Sequence, residues 1–158
     1  MSERLGSGTE VSSADALFRV EREGMLRLAV LLVGSRPLAE EIVQDSFSAV
    51  LQRWDTLDRP GAYLRTVVVN GCRMALRRRS TEQRHRELDP PLPVESPAEL
   101  VELHGALAAL PERQRVVVVL RYFADRTDVE IAETLGCRPA TVRSLAHRGL
   151  VRMRKELA

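Results

Sequence analysis

Arg143, Ser144, His147 and Arg148 sit near the C-terminus in the stretch TVRSLAHRGLVRMRKEL, and Val151, Arg154 and Lys155 follow at the same spacing. At 3.6 residues per turn these seven fall on one face of a helix. Val142, Ala146, Gly149 and Met153 fall on the opposite face and suit a core. Arginine guanidinium groups fork bidentately onto guanine edges in the major groove, and further cations hold phosphates. Ser and His between them add hydrogen-bonding reach. The residue types and spacing therefore suit DNA reading. They would also suit a solvated basic helix face with no ligand, because charge runs are commonly just hydrated.

The element before this stripe favours the DNA reading. Thr127 and Glu130 have the spacing of a capping box, which predicts a helix start. Ile131, Ala132 and Leu135 give that helix a buried stripe, Gly136 suits a tight turn, and Pro139 suits the first turn of a second helix. This is the pattern of a helix-turn-helix.

The chain has 158 residues, 44% hydrophobic and 29% charged, which is a folded composition of one domain or two small ones. The net charge of +2 says little, but its distribution says more. Basic residues dominate from Arg73 to Arg86 and from Arg138 to Lys155, whereas Glu87 to Pro111 holds acids and neither Lys nor Arg. Two basic blocks suggest two nucleic-acid contacts on one chain. Cys72 and Cys137 are the only cysteines and read as small apolar residues, so a reducing, cytoplasmic setting is expected. His85, His104 and His147 are scattered, so no metal site or cofactor is expected. The apolar run from Leu26 is too short to span a bilayer, and the N-terminus lacks a signal-peptide core.

Periodicity predicts an all-α protein of two small helical domains joined by a flexible linker. Residues 1–13 are polar and are expected to form a disordered tail. Residues 14–80 are expected to form a three-helix module. Its first helix carries Leu17, Val20, Met25, Leu28, Ala29, Leu32 and Val33 and breaks at Gly34. The second carries Leu38, Ile42, Val43, Phe47, Val50 and Leu51, and the third starts near Pro60. Val67, Val68 and Val69 are β-prone, but their flanks are helical and packing can override propensity. Residues 81–98 are Pro-rich and acidic, a linker composition. Residues 99–158 are expected to form a four-helix module, with one helix, ERQRVVVVLRYFAD, opening at Pro111.

Three stretches, AEEIVQDSFSAV, AYLRTVVVNGCRMALRRR and ALAALPERQRVVVVLRYFADRTDVEIAETLGCRPATVRS, occur in the order and at the spacing found in extracytoplasmic-function (ECF) bacterial sigma factors. The chain resembles that family from about Ala14 to Leu157, and LRLAVLLVGS and RPGAYLRTVVVN are most similar to the SigE-like actinobacterial type. The resemblance implies region two in residues 14–80 and region four in residues 99–158. It implies core RNA polymerase and promoter DNA as partners, with contacts to the beta-prime clamp helices and the beta flap. It also implies a monomer within the holoenzyme, and an anti-sigma protein as a common further partner.

By that resemblance Glu41, Gln44 and Asp45 fall at the polymerase contact. Read without it, they are an ordinary solvated helix face. The resemblance puts Asn70 in the pocket for an unstacked minus-ten base, where an amide offers both donor and acceptor. It has Arg73, Arg77 and Arg78, with Arg79, grip the melting strand. The plain reading of those cations is a solvated helix end. Arg143, Ser144, His147 and Arg148 match the minus-thirty-five contacts, while Leu145 stands where relatives often have a basic residue. Trp54 and Tyr63 read as packing rather than as stacking platforms.

The implied function is a sigma factor directing promoter recognition, DNA opening and transcription initiation. The alternative is a helix-turn-helix regulator acting without polymerase, which leaves the first module without a purpose. An enzyme is not expected, because the acids show neither a metal-ligand motif nor a nucleophile with its base.

Overall fold

The computed structural model describes residues 3–83 and 98–157, all of whose regular structure is helical. Seven α-helices follow in order: α1 Glu3–Val33, α2 Arg36–Gln52, α3 Pro60–Gln83, α4 Ala98–Ala108, α5 Glu112–Val118, α6 Asp128–Leu135 and α7 Pro139–Leu157. A 3₁₀ turn at Trp54–Thr56 joins α2 to α3, and a π-helical turn at Val119–Phe123 follows α5.

The first three helices form one module. Met25, Leu28, Ala29 and Leu32 of α1 meet Ile42, Val43, Phe47 and Val50 of α2 and Leu64, Val68 and Val69 of α3 in its interior. Phe18 and Phe47 pair with ring centroids 4.3 Å apart, tilted rather than stacked. The valine run is helical, as its flanks require, and Val68 and Val69 are fully buried. Trp54 and Tyr63 are half-buried against this core. Ser35 caps α2, its hydroxyl accepting from the Leu38 N–H at 3.3 Å. Cys72 lies in the same interior, where burial pushes its thiol up to about 12 and leaves it an unreactive apolar side chain.

Four expectations need correction. Residues 3–13, expected as part of a disordered tail, belong to the first turns of α1, where a helix nucleated by Leu17–Val33 propagates through Gly6 and Gly8 despite their low helix propensity. The linker is shorter than 81–98, since α3 runs to Gln83 and α4 starts at Ala98; residues 84–97 of it lie outside the described residues. Val20 and Leu51 are exposed, each on a flank that no neighbouring helix covers. ERQRVVVVLRYFAD is not one regular helix. After Val118 the backbone widens, so that Ala124 N–H bonds to the Val119 carbonyl at 3.1 Å, and Asp125 turns the chain at φ 52°.

The two modules are packed together. The α1 end is the meeting point: Arg115 of α5 donates to the Leu32 carbonyl at 3.4 Å, while Arg79 of α3, in the same module as α1, donates to the neighbouring Val33 carbonyl. These are carbonyls that a helix end leaves without partners. Gly34 closes α1 at φ 70°, and a Cβ there would lie 2.1 Å from the His104 ring of α4. Only glycine allows both that backbone and that approach.

Burial lowers the pKa of His104, and the nearby Arg115 and Arg79 lower it further. The folded protein thus binds a proton at His104 less readily than the unfolded chain does. The resulting stability is present above the ordinary histidine value of 6.5 and is lost as pH falls below it, toward the lowered value. Urea unfolding followed from pH 7.5 to pH 5.5 should show the midpoint falling, and H104Q should flatten that part of the slope.

Candidate nucleic-acid interface

The helix-turn-helix forms as its sequence requires. The Thr127 hydroxyl accepts from the Glu130 N–H at 3.2 Å, and the Glu130 carboxylate accepts from the Thr127 N–H at 3.1 Å, completing the capping box. The bond from the Thr127 N–H to that carboxylate is the main cause holding the Glu130 carboxyl below its usual range. Ile131 and Ala132 are buried, and Gly136 adopts the left-handed conformation at φ 66° that turns the chain toward α7. Val142, Leu145, Ala146, Gly149 and Met153 are the buried face of α7. Leu145 is therefore a packing residue, which accounts for an apolar side chain there.

Arg143, Ser144, His147, Arg148, Val151, Arg154 and Lys155 all face solvent. Arg143 and Ser144 lie in the first turns of α7, the part of a recognition helix that reaches base edges. Arg148 donates to the Ser144 hydroxyl at 3.1 Å, which holds its guanidinium along the helix face.

On α2, Glu41, Gln44 and Asp45 are exposed opposite the buried Ile42, Val43, Ser46 and Phe47. Glu40 beside them is paired with Arg36 at 3.2 Å. Leu51, misassigned to the core from sequence, extends this exposed face with an apolar side chain.

On α3, Asn70 and Arg78 are exposed, and Met74 between them is an exposed apolar residue that the sequence reading did not single out. Its position at i+4 from Asn70 was the available signal. Arg73 is largely withdrawn from solvent, whereas Arg77 is exposed but paired. Both bind Glu112 of α5, Arg73 at 2.5 Å and Arg77 at 3.2 Å. Burial would raise the Glu112 pKa, but the hydrogen bonds from these two arginines outweigh it and keep the carboxyl ionised. The segment before α3 contributes Leu57, half-buried against the core. No group of three or more His, Cys, Asp or Glu residues fit to hold a metal occurs among the described residues. No helix among them is long and apolar enough to cross a membrane.

A cationic recognition helix on a capped helix-turn-helix, beside a second helical module with its own basic helix, defines a DNA-binding transcription protein. Family comparisons sharpen this. The family model "Sigma-70 region 2" matches residues 17–82, and "Sigma-70, region 4" matches residues 100–153. The RNA polymerase sigma-E factor of Streptomyces coelicolor is 33% identical over 155 residues, covering 94% of this chain and 88% of that protein. The ECF RNA polymerase sigma factor SigE of Mycolicibacterium smegmatis is 31% identical, covering 97% of this chain and 65% of that protein. The sigma factor RpoE of Bartonella quintana, solved with the anti-sigma factor NepR, shares the fold. Its TM-score is 0.73 at 21% identity, covering 89% of this chain and 93% of that one. The chain belongs to the extracytoplasmic-function subfamily of RNA polymerase sigma factors, and it directs the polymerase to promoters. A regulator acting without polymerase is not favoured, since the first module has its own match to sigma region two.

Proposed function

We propose that the two modules divide promoter recognition, with α7 reading the minus-thirty-five element and α3 the minus-ten element. The observation that carries this reading is the exposed Arg143, Ser144, His147 and Arg148 face of α7, set against a fully apolar buried face. Arg143 and Arg148 supply base or phosphate contacts, with Ser144 and His147 between them. Asn70 offers its amide to an unstacked base, and Arg73, Arg77 and Arg78 hold the phosphates of the opening strand. Glu41, Gln44 and Asp45 meet the clamp helices of the polymerase beta-prime subunit, and region four sits on the beta flap.

The protein works in the cytoplasm as one copy within the holoenzyme, without a catalytic group of its own. A relative with the same fold is crystallised with an anti-sigma factor, which supports a protein of that kind as a further partner here. Transcription from a promoter library by bacterial core polymerase, with and without this protein, tests the reading. Protein-dependent transcripts sharing two spaced elements are expected. Specific duplex binding without core binding or transcripts would overturn it.

Asn70 gives a sharper check. Asn70→Ala should reduce transcription from a duplex promoter about tenfold, since one base contact is worth about 1–3 kcal/mol. A premelted template should be affected much less. Abortive transcription on the two templates measures both, and equal defects would assign Asn70 to binding rather than opening.

A further inference from the structure

Among the described residues four ion pairs cross between the modules, and these have the same polarity. Arg59, Arg65, Arg73 and Arg77 come from the first module; Glu133, Glu130 and Glu112 come from the second. The outer pair, Arg59 with Glu133, is well exposed at both ends and is a weak contributor. The inner ones differ. The Arg65 side chain is only 10% exposed and meets Glu130 at 3.2 Å. Glu112 is 24% exposed, and its two carboxylate oxygens are shared between Arg73, which is 16% exposed, and Arg77, whose side chain is 62% exposed. A partly desolvated carboxylate between two guanidinium groups occupies the place that a phosphate would take.

We propose that Glu112 acts as an internal phosphate mimic that clasps α5 onto α3, so that the free chain rests in a closed form unable to bind a single strand through Arg73 and Arg77. This rests on the reading of Arg73 and Arg77 as strand contacts. The strand and Glu112 compete for the same two cations, and because Arg73 is mostly buried against Glu112, engaging it requires α5 to leave α3. The neighbouring Glu130–Arg65 pair fixes α6 on α3 and keeps the register of the clasp. The clasp is selective in what it covers. The Arg143, Ser144, His147 and Arg148 face of α7 stays exposed in the closed form, so duplex binding by α7 does not require opening.

That asymmetry supplies the test. A short dye-labelled oligonucleotide of mixed sequence is titrated with the full-length free protein, once single-stranded and once as a duplex, across a range of salt. Glu112→Gln keeps the side-chain size and removes the charge. It should tighten single-strand binding on the order of tenfold at low salt. It should also steepen the slope of log affinity against log salt by about 1.4, as expected for two cations becoming available. Duplex affinity should change little. Glu102→Gln, an exposed acid on α4 with the same change in charge, should not reproduce the effect. An equal gain from Glu102→Gln, an equal gain on duplex, or no gain at all would overturn the clasp. Adding R73A and R77A to E112Q separates the two readings. If single-strand affinity then falls, Arg73 and Arg77 are strand contacts whatever the fate of the clasp. If it does not fall, those two residues leave the site and the clasp proposal goes with them.

Discussion

Arg143→Ala is expected to lower transcription from a cognate promoter about ten- to hundredfold, with binding to core polymerase unchanged. The magnitude follows from the loss of a bidentate arginine contact with a base edge, worth about 1–3 kcal/mol. The location follows from α7. Arg143 is exposed near the helix N-terminus, whereas its neighbours Val142 and Leu145 are buried. Truncating Arg143 therefore removes a solvent-facing side chain and leaves the packing of α7 untouched. Promoter-directed transcription and core binding must be measured on the same preparation. A parallel loss of both would mean that Arg143 supports the fold. A loss that is uniform across promoter sequences would make it a phosphate contact instead. Arg148 should behave differently, because Ser144 already holds its guanidinium along the helix. Changing Ser144 therefore acts partly through Arg148.

The second large effect concerns stability. Leu32→Ala should destabilise the protein by about 2–5 kcal/mol, the usual cost of emptying a leucine site in a core. Against a typical domain stability of about 5–15 kcal/mol this is a large fraction. Leu32 is fully buried in α1, and its carbonyl accepts from Arg115 of the other module. Two residues on, Gly34 continues that contact beneath His104 of α4. A cavity at Leu32 therefore loosens the surface on which the second module rests. Urea unfolding should be followed by Trp54 fluorescence, which reports the first module alone, and by far-ultraviolet circular dichroism, which reports both. Coincident transitions, shifted together by the substitution, are expected for modules that share one core. A dichroism curve that splits in two, with only the fluorescence-linked part shifted, would show that the modules unfold independently.

Much of this protein can be read from local signals. The capping box at Thr127 and Glu130, the turn at Gly136 and the helical start at Pro139 each depend on a few neighbouring residues, and all appear as expected. The exposed face of α7 follows from the same source, since a 3.6-residue period assigns residues to faces without reference to the rest of the chain. The misassignments fall where the outcome depends on distant neighbours. Val20 and Leu51 have the right period but end up uncovered. The π-helical turn after Val118 begins inside a run of five consecutive buried residues, Val116–Leu120, whose sequence gives no hint of where the backbone widens.

The sequence by itself determined which helices form and which face of each carries charge, because capping and periodicity are properties of adjacent residues. It also determined the family, through motifs that keep their order along the chain. Only the tertiary structure decided which of those charges are open to solvent. Arg73, Arg77 and Arg78 look alike in sequence, yet Arg73 is mostly buried while Arg77 and Arg78 are exposed, and Arg73 and Arg77 share one carboxylate 35 or more residues away. Nothing in a helical period specifies a partner at that separation. It is fixed by how the end of α1 receives the second module, and so by the packing of two cores against each other.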